Sequence, residues 1–203
     1  MNDKIDETVK RVHRYLYDDG LSEMGVGILF IVVGLGLIAF VAIQDNTVLG
    51  AVLMGGLLAF AFGGALYTKR ALEAVKERVT YPRTGYVAYP REKPKRWRWV
   101  APVEILLVVF ISLALPEELT RISAMIGALM FAIISSLGYR LGLRRFYVLG
   151  VIALIVGVGA SLLFPNEALG TGMTFTVMGL LLLGSGGLTL SAYLRQNPLA
   201  GEV

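Results

Sequence analysis

The sequence has no cysteine and a single histidine, His13. Without thiols there is no disulfide framework, no thiolate nucleophile and no Cys-ligated metal. One histidine is too few for a histidine-based metal centre or a Ser-His-Asp triad. No glycine-rich loop runs into a Lys-Ser/Thr pair, so a P-loop is excluded as well. Charge is also scarce: 17% of the 203 residues are Asp, Glu, Lys or Arg, against about 25% in soluble domains. Hydrophobic residues make up 56% and the mean hydropathy is +0.68. The missing charge is concentrated in long uncharged runs, which marks a polytopic membrane protein. No catalytic residue, cofactor, metal or nucleic-acid partner is expected, and the expected class is non-enzymatic.

The apolar runs predict an all-α transmembrane bundle of six spans: about Leu21–Ile43, Val48–Tyr67, Trp99–Leu115, Ile122–Tyr139, Phe146–Phe164 and Gly172–Leu194. Short breaks at Gln44-Asp45-Asn46, Pro116-Glu117-Glu118 and Pro165-Asn166-Glu167 carry turn and helix-start residues, and they pair the spans into three hairpins. The chain then divides into an amphipathic helix (1–20), hairpin 1 (21–67), a long loop (68–98), hairpin 2 (99–139), hairpin 3 (140–194) and a tail (195–203). Met1–Gly20 is charged and lacks the apolar core of a signal peptide.

Eighteen of the nineteen Lys and Arg residues fall on one side of these spans, and Arg121 alone falls on the other. The positive-inside rule therefore predicts both termini in the cytoplasm, in the cytoplasmic membrane of a prokaryote. Ten of the eighteen lie in the loop between the second and third spans, from Lys69 to Arg98. Its first part, Thr68–Val79, has Ala71, Leu72, Val75 and Val79 on one helical face and is expected to continue the second span out of the membrane. Next comes "TYPRTGYVAYP", which Pro82, Gly85 and Pro90 keep from being helical. Tyr81, Tyr86 and Tyr89 suit it to lie as a strap on the cytoplasmic helix ends. The loop closes on Arg91, Lys93, Lys95, Arg96, Trp97, Arg98 and Trp99, where cations and indoles meet the membrane surface. With Arg83, these residues are the candidate lipid- or anion-binding set. A basic segment beside a membrane attracts anionic phospholipid at about 1 kcal/mol per cation.

Asp18, Asp19 and Glu23 form an acidic cluster where the first span begins. They read as helix-start residues complementing the positive helix end, as divalent-ion ligands, or as partners for the strap's arginines. Within the spans only Glu104 is a deep ionisable candidate. Ser112, Ser135, Ser136, Tyr139, Ser185 and Thr189 are expected to be satisfied by their own helices. Glycine is abundant, with 24 residues. Gly55, Ala59 and Gly63 recur every four residues, as do Gly138 and Gly142, and glycines cluster from Gly184 to Gly187. Such spacing predicts close helix packing, within the protomer or in a homo-oligomer. The spacings Gly27-Gly34-Gly36 and Gly150-Gly157-Gly159 match, and hairpins 1 and 3 read as a repeat or as a chance likeness.

The segments "TYPRTGYV" and "DGLSEMGVGILFIVVGLGL" resemble parts of small, uncharacterised prokaryotic polytopic membrane proteins. That resemblance implies the membrane and no activity. The leading functional expectation is a scaffold, or a partner- or lipid-binding module, with a basic cytoplasmic face. The alternative is a small-solute or lipid transporter, monomeric or dimeric, built on Glu104 and glycine-lined helices.

Overall fold

A computed structural model describes residues 19–79 and 122–198. Five helices make up the regular structure of these residues: α1 (Leu21–Ala42), α2 (Thr47–Val79), α3 (Ile122–Leu141), α4 (Arg144–Leu163) and α5 (Glu167–Gln196). Four of them, α1, α3, α4 and α5, are long and apolar enough to cross a membrane. The 22 residues of α1 extend about 33 Å, enough for a hydrocarbon layer of about 30 Å. Helix α2 begins with the apolar stretch Thr47–Ala61 and runs without a break to Val79. The expected extension of the second span is therefore helical. The third span (Trp99–Leu115), the strap and the amino-terminal amphipathic segment lie outside the described residues.

Local chemistry sets the turns. Asn46 Oδ1 accepts the Leu49 amide at 3.1 Å and Asn166 Oδ1 accepts the Leu169 amide at 3.0 Å, so each asparagine caps the helix that follows it. Between α3 and α4, Gly142 adopts φ +66°, and the Leu143 amide reaches back to the Gly138 carbonyl at 3.2 Å. This left-handed glycine end closes α3 and turns the chain within two residues. Gly142 was expected to pack helices alongside Gly138; its role is the turn instead.

Two ends of the bundle can be distinguished by contact. The proximal end holds the start of α1, the end of α2, the end of α3, the start of α4 and the last turns of α5. There Lys76 meets Asp19, Arg145 meets Thr189, and Gly20 meets Gly186. At the distal end α3 and α5 begin together, where Glu167 Oε2 accepts the Ile122 amide at 3.0 Å and the hydroxyls of Ser123 and Thr171 lie 3.3 Å apart.

The most extensive packing joins α1 to α5 and α3 to α4. Across α1 and α5 run three opposed glycine pairs: Gly20–Gly186, Gly27–Gly179 and Gly34–Gly172. A methyl group on Gly34 would stand 2.6 Å from the Gly172 carbonyl oxygen, and one on Gly172 would stand 2.8 Å from that of Gly34. Backbones this close gain dispersion and Cα–H···O contacts, which hold helices together in lipid where the hydrophobic effect is absent. Across α3 and α4, Gly127 faces Gly157 in the same manner, and Gly150 faces Ser135. Between these two helix pairs the filling is side chain: Phe146, Leu149, Met130, Ala153, Met178 and Leu182 are buried there. Phe30 and Phe175 meet edge to face at 5.2 Å.

Several glycine expectations change accordingly. A methyl on Gly55, Gly56 or Gly63 would meet nothing among the described residues, so no described helix packs closely on α2 at these glycines. The matching spacings of hairpins 1 and 3 do not lead to matching surroundings. Gly27 and Gly34 face α5 and Gly36 faces Leu57 of α2, whereas Gly150 and Gly157 face α3 and Gly159 faces open space.

A buried charge cluster as the candidate functional site

The proximal end gathers four charged side chains, three from helices α1, α2 and α4 and one, Asp19, from the turn that leads into α1. Gly20, at φ +69°, turns the chain into α1 in a conformation that glycine adopts without steric cost. The turn folds Asp19 back so that its Oδ1 accepts the Leu21 amide at 3.2 Å. Its other oxygen, Oδ2, lies 3.0 Å from Lys76 Nζ. Lys76 comes from the last turns of α2, and the two side chains are 6% and 1% exposed respectively. Glu23 sits in the first turn of α1, where the helix dipole favours a carboxylate. Its Oε1 is 2.5 Å from Arg145 Nη2, and its Oε2 accepts the Ser185 hydroxyl at 3.0 Å. Arg145 also donates through Nη1 to Thr189 Oγ1 at 2.5 Å. Thr189 in turn donates to the Ser185 carbonyl at 2.8 Å.

All four carboxylate oxygens of Asp19 and Glu23 thus face a donor supplied by the protein, and the two acids and two bases sum to zero charge. Moving four separate charges out of water would cost several kcal/mol each. Pairing with additional hydrogen bonds is what makes their burial tolerable. The cluster therefore fastens α1 to α2, α4 and α5 at one end of the bundle.

Of the acidic cluster expected from sequence, Asp19 and Glu23 converge and Asp18 lies outside the described residues. Among the described residues their partners are Lys76 and Arg145; the strap's arginines lie outside those residues. Among those residues no group of three or more His, Asp or Glu is placed to hold a metal ion. Arg83, Arg91, Lys93, Lys95, Arg96, Trp97, Arg98, Trp99 and Glu104 also lie outside the described residues.

Two local expectations are corrected here. The buried position on the extension of α2 is Lys76, while Val75 is 42% exposed; the charge turns inward because Asp19 waits there. Ser185 and Thr189 do not serve only their own helix, since both take part in the Glu23–Arg145 contact. Ser136 does bond within its helix, to the Ile133 carbonyl at 3.1 Å, but the buried Ser135 hydroxyl has no hydrogen-bond partner among the described residues. The signal for Lys76, Arg145, Ser185 and Thr189 was thin. An ionisable residue at the margin of an apolar run demands a counter-charge, yet nothing local says which of nineteen cations supplies it.

Comparison with protein-family models, curated proteins and solved structures gives no match. The four apolar helices are compatible with a multi-pass membrane protein, and the functional reading rests on this chain alone.

Proposed function

We propose that the protein is a non-enzymatic integral protein of the cytoplasmic membrane, a scaffold whose basic cytoplasmic face binds anionic lipid or a protein partner. The observation that carries this reading is the self-neutralised charge cluster. Ionisable side chains in the described helices gather toward the proximal end, and the buried ones are matched to each other. That arrangement fixes helix ends in place, whereas a conduction path needs polar groups along the depth of the bilayer. The proximal end is read as cytoplasmic because it receives Lys76, Arg140, Arg144, Arg145 and Arg195. The reading of six spans is supported by connectivity: the chain leaves α2 at the proximal end and enters α3 at the distal end. The transporter alternative rests on Glu104, because Gly27, Gly34, Gly172, Gly179 and Gly186 are packed backbone to backbone and line no passage.

The test is lipid retention. Protein extracted from membranes and examined by native mass spectrometry should carry anionic phospholipid. Replacing Arg91, Lys93, Lys95 and Arg96 by Gln should remove most of it while the melting temperature stays unchanged. Equal retention by the wild type and this variant would overturn the lipid-binding reading.

A further inference from the structure

The first turn of α4 sends its two arginines to opposite surroundings. Arg145 turns inward to Glu23 and Thr189, whereas Arg144, about 100° away around the helix, is exposed. Arg144 heads a row that continues through Val148, Val151 and Ile155, spaced as one helical face and exposed at every position. From Val148 to Ile155 the row covers about 11 Å at helical rise, most of the depth of one leaflet of a hydrocarbon layer about 30 Å thick. Two phenols stand beside its charged end. Tyr147 follows Arg144 by three residues, and its ring rests on α3, since a methyl on Gly138 would stand 3.4 Å from Tyr147 Cδ2. Tyr139, next to Gly138, is 78% exposed.

We infer that this outer face of the α3–α4 hairpin holds an anionic phospholipid, with its phosphate against Arg144 and its acyl chains along Val148, Val151 and Ile155. The inference rests on the membrane reading above and adds a lipid site apart from the basic loop. A guanidinium fork matches phosphate oxygens, and tyrosines settle where acyl chains give way to headgroups. Charge selects the anionic headgroup, because a zwitterionic lipid offers the same chains but carries its own cation beside the phosphate. The shape of the row favours lipid over a second helix. The close seams of this bundle run on opposed glycines, and no glycine falls on this row between Arg144 and Ile155.

Tryptophan quenching tests this locally, since the sequence has two tryptophans and Trp97→Phe with Trp99→Phe leaves only an introduced reporter. Val148→Trp places the reporter one turn from Arg144, and Leu162→Trp places a control on the same helix near the distal end. Each is reconstituted into phosphatidylcholine vesicles containing a minor fraction of phosphatidylglycerol, with one lipid or the other brominated on its acyl chains. Val148→Trp should report association of phosphatidylglycerol roughly fivefold stronger than that of phosphatidylcholine, and Leu162→Trp should report no preference. Arg144→Gln should abolish the preference at Val148→Trp, while Arg144→Lys should keep most of it, because an ammonium also binds phosphate. Equal association of the two lipids at Val148→Trp overturns the inference, as does a preference that survives Arg144→Gln or one that is the same at both reporters. Absence of quenching by either lipid at Val148→Trp also overturns it, since protein would then cover the row. Each of these outcomes leaves the retention test with Arg91, Lys93, Lys95 and Arg96 to stand or fall by itself.

Discussion

Gly27 and Gly179 face each other across α1 and α5 so closely that a methyl on Gly27 would lie 2.8 Å from the Gly179 carbonyl oxygen, and one on Gly179 would lie 2.7 Å from that of Gly27. The obstacle on each side is backbone, which cannot rotate aside. Gly27→Ala should therefore force the helices apart and destabilise the protein by about 1–3 kcal/mol, the usual cost of overpacking. Gly63→Ala, where a methyl meets nothing among the described residues, should melt within about a degree of wild type or slightly higher, because alanine is the better helix former. Thermal melts of the two variants in detergent make the comparison. Equal melting of both would mean that the seam yields freely.

Lys76 and Asp19 give a second prediction. Lys76→Met takes the ammonium away from a carboxylate that is 1% exposed, and breaking a buried pair in this manner costs about 3 kcal/mol. Adding Asp19→Asn removes the charge but keeps an acceptor for the Leu21 amide, so the double variant should regain most of the loss. Stability of the two single variants and the double variant, taken as a cycle, measures the coupling. Additive losses would show that the pair is not coupled.

Much of the helical layout was legible in the sequence, and the partnerships were not. The start of α1 at Leu21, the start of α3 at Ile122 and the helical extension to Val79 follow from where uncharged runs meet capping and charged residues. These are short-range properties. Which helix each glycine faces is a long-range one: Gly27, Gly34 and Gly36 lie close in sequence, yet the first two face α5 and the third faces α2. The seven-residue spacing shared by Gly20, Gly27 and Gly34 and by Gly172, Gly179 and Gly186 was the available clue. A seven-residue row stays on one face of a helix that winds shallowly around its neighbour. Lys76 carries no local signal of burial, since it lies outside the face formed by Ala71, Leu72, Val75 and Val79, and its partner Asp19 is far off in sequence.

Orientation supplies a third prediction. Single cysteines at Asp45 and Pro165, which spare the capping asparagines, should react with a membrane-impermeant maleimide added to intact cells. Cysteines at Thr84 and Gln196 should react only after the cells are opened. Labelling at Gln196 from outside would reverse the orientation, and labelling at Thr84 alone would dismantle the assignment of the second and third spans.

Gly142 offers the narrowest test. Among the described residues a methyl there meets nothing, so the effect of Gly142→Ala is expected to come from the backbone at φ +66°. A loss of about 1 kcal/mol is expected. Gly142→Asn should lose less, since asparagine tolerates the left-handed region better. Differential scanning of both variants separates conformational cost from crowding.

The glycine ladder also sets a timetable for biogenesis. Gly34 and its partner Gly172 are separated by more than a hundred residues of intervening chain. At a synthesis rate of about 5–20 residues per second, α1 waits on the order of ten seconds before α5 has been made. During that interval the row of bare backbone on α1 is exposed to lipid and to any other small-faced helix nearby. The most extensive joint among the described helices is thus among the last to form, and a nascent chain stalled before Gly172 would present α1 with half of that interface missing.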